Sequence, residues 1–539
     1  MSSRNVFIRG AFVLGIAAML SKLLGSVYTI FLQNIIGDRG IGLYQMAYPI
    51  YATLLNFSTA GFPIAISKFV AERLAIGDDQ GAKKVFRISL FVLAISGLFF
   101  FVLLFGSASF YAKLSGDPAA KYAIQAIAPA LLVVPIMSAL RGYFQGWQTM
   151  EPTATSQVIE QLIRVATILI GSVWLLQLGF GTEIAAAGAA FGAVTGAIAG
   201  LITLLIVAWR KRNVFLYRSS MRVVASESTG RIIQQLVYYA LPISLGALVV
   251  PLMNNVDVLT VVNELKQSGA SQMQATEMFG LLTGRAFKLM MLPATFATAI
   301  GAALMPAIAS AKAVNNTFLI KNRIDMAMRM TMLMGMPAAV GLCLLARPVD
   351  TMLFKTSDGW DTIAIMSLGI LFSTVQVTSS AVLQGLGNVY IPVANMMFGA
   401  VVKYVLNVIL VPLYGINGAA WATVLSYFVA CMLNLWSVYH RTHISFDLKA
   451  WLIRPSLSVF FMGVAVFAAL RQFGPFVWTL ELSNRMASSV LTVTTILIGI
   501  AVYGIGLFAT GSVSRREVES VPRLGPGLAR FCSRIGLLR

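Results

Sequence analysis

Apolar runs of helical length recur from Ala11 to Thr510, separated by short stretches rich in Lys, Arg, Gly, Pro and Ser. A helix that crosses a bilayer needs roughly 20 such residues, and each run reaches that length. Read against their punctuation, the runs predict fourteen helices, over residues 9–36, 41–75, 84–114, 121–147, 152–178, 183–209, 231–262, 277–311, 318–346, 361–386, 390–412, 416–440, 449–472 and 485–510. No stretch of soluble-domain size is left over. The first run follows Arg4 and Arg9 in the manner of a signal peptide, but it continues to Ile36 without a small-residue cleavage site. It reads as a retained first helix.

Composition agrees with the pattern. Of 539 residues, 58% are hydrophobic and 11% charged, with a mean hydropathy of +0.81, whereas soluble chains average about 25% charged. A soluble enzyme is excluded. The formal charge is +20, from 40 Lys and Arg against 20 Asp and Glu, and its distribution is a topology signal. With the N-terminus in the cytoplasm, the outer loops hold eight cations: Arg39, Lys113, Lys121, Lys266, Arg347, Lys355, Arg471 and Arg485. The inner segments hold 25, which by the positive-inside rule predicts that both termini are cytoplasmic. The basic balance therefore calls for no nucleic acid. Cys343, Cys431 and Cys532 are not spaced for a metal site or a disulfide framework. His440 and His443, the only histidines, fall in an inner loop, so neither a cofactor nor a metal site is expected.

Seven cations remain inside predicted helices: Lys22, Arg141, Arg164, Arg285, Lys288, Arg329 and Lys403. Each costs about 2.5–3.5 kcal/mol at a helix centre, so such residues face a protein interior or a wet cavity. The intramembrane anions are Glu160, Asp257 and, near a helix end, Asp325. Glu160 with Arg164 and Asp325 with Arg329 are four apart and can pair on one helix face, where they either neutralise one another or present charge to a cavity. Asp257 alone cannot balance the other five. A surplus of cations around a membrane cavity points to an anionic substrate.

The chain also repeats internally. Phe57-Ser-Thr-Ala60 returns as Phe296-Ala-Thr-Ala299, Gln145-Gly146 as Gln384-Gly385, and Arg164 as Lys403, all at an offset of 239. Gly188-Ala-Ala-Phe191 then answers Gly418-Ala-Ala-Trp421 at an offset of 230. A six-helix repeat is even-numbered, so its copies share one orientation about an axis along the membrane normal. The expected protein is all-α and polytopic, with an N-lobe in 1–220, a C-lobe in 221–445, two extra helices in 446–512 and a basic cytoplasmic tail in 513–539. Gly188, Gly192, Gly196 and Gly200 form a small-residue stripe read as close helix packing.

Two stretches carry a family resemblance. Leu132-Val-Val-Pro-Ile-Met-Ser-Ala-Leu-Arg141-Gly-Tyr-Phe-Gln-Gly146, continuing through Glu151-Pro-Thr-Ala-Thr-Ser-Gln-Val-Ile-Glu160-Gln-Leu-Ile-Arg164, and Gly61-Phe-Pro-Ile-Ala-Ile-Ser-Lys68-Phe-Val-Ala-Glu72 resemble the stage V sporulation protein B and MurJ-type group of bacterial lipid-linked sugar flippases. That group lies within the multidrug/oligosaccharidyl-lipid/polysaccharide exporter superfamily. The resemblance covers essentially the whole chain. It implies alternating-access transport of an undecaprenyl-diphosphate-linked sugar, lipid II of peptidoglycan synthesis being the nearest type, in the bacterial cytoplasmic membrane. It also implies a lipid-tail groove at helices 13 and 14. Membrane lipids are implied partners and cell-wall synthesis proteins candidate ones.

By position, the family's first-helix arginine in a Ser-Arg-x-x-Gly run falls on Lys22 of Ser21-Lys22-Leu-Leu-Gly25. Its eighth-helix arginine falls on Lys288, five residues before Pro293, with Arg285 about one turn away. Other charged cavity positions fall on Tyr28, Thr29, Thr53 and Met291, so the cationic cavity is kept in kind but is sparser. With Arg141 and Arg164 added, these are the candidate substrate-binding residues. Some family members bind sodium at positions that match Asp257, Lys403, Asn407 and Thr423 here. A lysine at the second position disfavours the ion, and its ammonium is expected to stand beside Asp257 as the coupling group.

Three classes of function compete. A lipid-linked sugar flippase needs a cationic cavity, a lobe repeat and no catalytic groups. A multidrug antiporter of the same fold favours organic cations and should carry intramembrane carboxylates, which are outnumbered here. A membrane glycan polymerase or transferase needs catalytic acids or bases in a sizeable outer loop, and the outer loops are about 15 residues at most. The flippase reading leads, with lipid II, a teichoic-acid or capsule precursor, or a spore glycan lipid as cargo.

Overall fold

The computed structural model describes residues 3–210, 227–443, 449–478 and 482–512. All of the described elements are helical. Thirteen helical stretches among the described residues are long and apolar enough to cross a membrane. The basic loop expected between the lobes and the expected basic tail lie largely or wholly outside the described residues.

The first helix, α1 (Ser3–Thr59), is far longer than one crossing requires, and it is broken at Gly37, whose φ of 70° and ψ of 179° are open only to a residue without Cβ. That break falls where the sequence predicts the first loop. The hydroxyls of Tyr28 and Tyr44 meet at 2.8 Å and join the two halves across it. α2 (Phe62–Ala75) and α3 (Asp79–Leu114) follow, the second capped by Asp78, whose Oδ1 accepts from Gly81 N at 2.8 Å. Next come α4 (Ala120–Ile127), α5 (Ala130–Gly146), α6 (Glu151–Gln177) and α7 (Gly181–Arg210). α8 (Thr229–Gln267) and α9 (Gln272–Gly280) lead into a π-helical turn, Leu281–Ala286.

Beyond that turn lie α10 (Phe287–Ala313), α11 (Thr317–Leu344), α12 (Ala346–Phe354), α13 (Trp360–Gly385), α14 (Tyr390–Tyr414) and α15 (Ile416–Thr442). A second π turn (Lys449–Ile453), α16 (Arg454–Trp478) and α17 (Asn484–Ala509) complete the described chain. The predicted spans agree with these bounds to within a few residues at most ends. The eighth differs: it is interrupted by the π turn that carries Arg285.

Two compact units are present, Met1–Gly280 and Leu281–Arg539. The expected lobes divide at 220/221 instead. α8 and α9, which fall in the second half of the sequence repeat, pack with α1, α2 and α3 in the first unit. The reason is local. A Cβ on Gly280 would lie 2.0 Å from the Asp38 carbonyl oxygen, so only glycine lets α9 lie so close to α1. Asp117 then accepts from Gln272 Nε2 at 2.9 Å and Thr276 Oγ1 at 2.8 Å, which ties α9 to the α3–α4 loop.

The second unit has its core among α10, α11, α13 and α15, around Ile308, Ile324, Met328, Val382 and Leu383. α16 and α17 pack on each other and on α11 and α12. Arg329 of α11 donates through Nε to the Ser512 carbonyl at 3.1 Å, and Arg454 donates to that of Gly511 at 3.3 Å. Cationic side chains thus anchor the chain just past the end of α17.

Candidate functional site

In the first unit, α7 lies against α6 along its glycine stripe. A Cβ on Gly196 would come within 2.7 Å of the Glu160 carbonyl oxygen and 2.8 Å of Arg164 Cβ, and one on Gly200 within 3.2 Å of Glu160 Cβ. The stripe read from the sequence as packing therefore seats two of the candidate residues. Glu160 Oε1 accepts from Arg164 Nη2 at 2.7 Å, the expected pair one turn apart. Its other oxygen accepts from Arg141 Nη2, on α5, at 2.8 Å. The same Arg141 nitrogen lies 2.9 Å from Ser156 Oγ, which in turn donates to the Gly200 carbonyl at 3.0 Å.

One carboxylate thus serves two guanidiniums, and the group keeps a net charge of +1. It is not sealed: Glu160, Arg141 and Arg164 retain 12%, 16% and 19% side-chain exposure. The Nε of each arginine is itself buried and finds no acceptor among the described residues. Residual positive charge on partly exposed guanidiniums is suited to a phosphate or diphosphate. A row of tyrosines lies alongside. Tyr44 stacks on Tyr48 at 6.0 Å, Tyr48 meets Tyr51 at 6.1 Å, and Arg164 lies within electrostatic reach of all three. Tyr28, which stands at a charged position of the family, is hydrogen-bonded into this row.

Asp257 is buried on α8. Two residues before it, Asn255 donates to the carbonyls of Pro49 at 3.2 Å and Pro251 at 2.9 Å and to Thr53 Oγ1 at 2.7 Å, and accepts from Tyr111 at 2.6 Å. A single amide thereby gathers groups from α1, α3 and α8 at two proline positions. Lys22 belongs to α1, and its side chain lies outside the described residues.

In the second unit, Arg285 is paired. Its Nη1 donates to Asp350 Oδ1 at 3.0 Å and Thr356 Oγ1 at 2.9 Å, and its guanidinium lies 4.9 Å over the Phe354 ring. Asp350 Oδ2 accepts from Gly359 N at 2.9 Å. Arg285 is 3% exposed and Asp350 0%. The sequence count of anions leaves out Asp350, so Arg285 is counted there among the cations in surplus. Lys288 follows in the first turn of α10, half-buried. Lys403 and Asn407 on α14 and Thr423 on α15 are all fully buried. α14 and α15 are in close contact, a Cβ on Gly399 lying 3.0 Å from the Ser426 carbonyl. Among the described residues no three His, Cys, Asp or Glu side chains gather as a metal site.

An apolar groove of about 970 Å³ runs between α11, α13, α15 and α16, lined by residues such as Leu344, Phe372, Phe428, Val459 and Phe467. Its size and lining suit a hydrocarbon chain.

Many apolar spans, a shared-carboxylate cation site and an apolar groove define a multi-pass helical membrane protein of the transporter type. The model of the polysaccharide biosynthesis protein family matches residues 7–312, and the chain belongs to that family. The lipid II flippase MurJ of Bacillus subtilis (strain 168) is 32% identical over 523 residues, covering 93% of this chain and 95% of that protein. Stage V sporulation protein B of the same strain is 29% identical over 526 residues, covering 97% and 99%. Among solved structures, the inward closed conformation of lipid II flippase MurJ superimposes with a TM-score of 0.65 at 15% identity, over 92% of this chain and 98% of that one. The inward-facing conformation of a MATE family multidrug resistance transporter of the MOP superfamily gives 0.65 at 17%, over 80% and 98%. The activities named among these are flipping and transport, not enzymatic turnover.

Proposed function

We propose that this protein is a flippase that carries an undecaprenyl-diphosphate-linked sugar, lipid II first among the candidates, across the cytoplasmic membrane. The observation that carries the reading is the Arg141–Glu160–Arg164 group, a partly exposed site that keeps a net charge of +1. Lys22, Arg285 and Lys288 complete the proposed cationic surface, with Lys22 and Lys288 as direct phosphate ligands. Arg285, being ion-paired, acts by holding the turn that leads to Lys288. The groove beside α16 is the proposed path of the polyprenyl chain, and its relative named as a lipid II flippase supports that assignment. Alternating access then needs a diphosphate to be clamped by cations that separate when the lobes rock, with both termini on the cytoplasmic side.

For coupling, Lys403 is proposed to supply the positive charge beside Asp257, with Asn407 and Thr423 in the same pocket. A tethered ammonium at a position where some relatives hold the ion leaves no place for a dissolved cation, so transport is expected to be indifferent to sodium. The test of the whole reading is complementation of a flippase-deficient strain. Lys22→Ala/Lys288→Ala should fail to support growth at normal membrane abundance. Growth at the unmodified rate would overturn the cation assignment.

A further inference from the structure

A second cavity, of about 620 Å³, opens between α12, the 355–359 loop and the first turns of α17. Its lining is unlike that of the apolar groove. Arg347 and Lys355 contribute two cations and Asp358 one carboxylate, and Ser357, Asn484 and Ser488 add neutral hydrogen-bonding groups. Neither cation is ion-paired among the described residues. The walls are nevertheless braced. Asp350 holds Gly359 N, Arg285 holds Thr356, and Arg485 Nε donates to the Met352 carbonyl at 3.0 Å, which ties α17 to α12. Lys355 itself is fixed in a left-handed cap at φ 69°, with its N–H on the Thr351 carbonyl.

The two cavities meet the same short segment. Leu344, the last residue of α11, lines the apolar groove, and Arg347, three residues on, lines the polar cavity. A cationic cup at the end of transmembrane helices, next to an apolar channel, matches an amphiphile with a phosphate head and a hydrocarbon tail. Phosphate favours such a cup because two cations and several neutral donors surround it while a single carboxylate opposes it. We propose that this cavity binds the headgroup phosphate of a net-anionic membrane phospholipid, with Arg347 and Lys355 as its charged contacts. The assignment stands apart from the identity of the transported glycan, since neither Arg347 nor Lys355 belongs to the proposed cationic transport surface, though the adjoining groove is the proposed polyprenyl path.

The test uses the full chain in lipid nanodiscs, with retained phosphatidylglycerol counted by native mass spectrometry against a phosphatidylcholine background. Each cation near an anionic headgroup is worth about five-fold in affinity, so Arg347→Gln/Lys355→Asn should lower retention of the tightest phosphatidylglycerol by roughly ten-fold or more. Arg347→Lys/Lys355→Arg should restore it, which separates charge from folding. Lys113→Gln/Lys121→Gln, altered at cations remote in sequence, should retain the lipid. Unchanged retention in the first variant, or equal loss in the control, would overturn the proposal. So would binding of inorganic diphosphate alone as tightly as the lipid, which would reassign the cup to a soluble anion.

Discussion

Two arginine sites in this molecule use the same chemical groups to opposite ends. At Glu160 one carboxylate is divided between Arg141 and Arg164, and all three side chains keep 12–19% exposure. At Asp350 the ratio is one to one, exposure is 0–3%, and the second carboxylate oxygen is taken by Gly359 N. Desolvation is the difference that matters. A fully buried, fully satisfied pair has no charge or donor to offer a ligand, whereas a shared and partly exposed one has both. Counting intramembrane charges treats these arginines alike, and only the partners tell a brace from a binding site.

The comparison breaks most visibly at Asp350. Asp350→Ala leaves Arg285 buried and uncompensated, which should cost about 3–5 kcal/mol, read as a fall in thermal stability and membrane abundance. Normal abundance in that variant would remove the distinction. At the other site, Arg164→Gln leaves Glu160 paired with Arg141, so abundance should hold. Transport should fall about ten-fold or more, because a charged hydrogen bond to phosphate contributes about 1.5–3 kcal/mol; loss of abundance without a specific loss of transport would make this site structural too. The smallest effect concerns the scaffold. Gly196→Ala forces a methyl against Glu160 and Arg164 and should cost about 1–3 kcal/mol. Gly171→Ala, whose Cβ has nothing nearer than 3.9 Å, should be close to neutral in a melting experiment.

Much of this was legible in the chain. The spans follow from apolar run length, and the Glu160–Arg164 pair follows from helical spacing. Partners that come from another helix do not show in spacing. Arg141 reaches Glu160 from α5, and the glycines of α7 seat the site only because α6 lies against them. Asp350 does not show in the sequence because it lies between predicted spans, on the short helix α12 (Ala346–Phe354), and a lone carboxylate that turns inward there leaves no periodic signal. The π turn at Leu281–Ala286 is likewise hidden, since the close approach of Gly280 to Asp38 that precedes it is a tertiary fact. The tyrosine row had a weak trace, in that Tyr28 stands at a position where the resembled family carries charge.

The most direct test of the central claim is depletion of this protein in a host strain lacking other flippases of the family, followed by extraction of undecaprenyl-linked precursors from each membrane leaflet. The account expects lipid II to accumulate on the cytoplasmic side, with clearance by the unmodified protein but not by Arg164→Gln. Accumulation of a different diphosphate-linked glycan would keep the mechanism and change the cargo. Unchanged levels of every undecaprenyl-linked precursor on the cytoplasmic leaflet would contradict it.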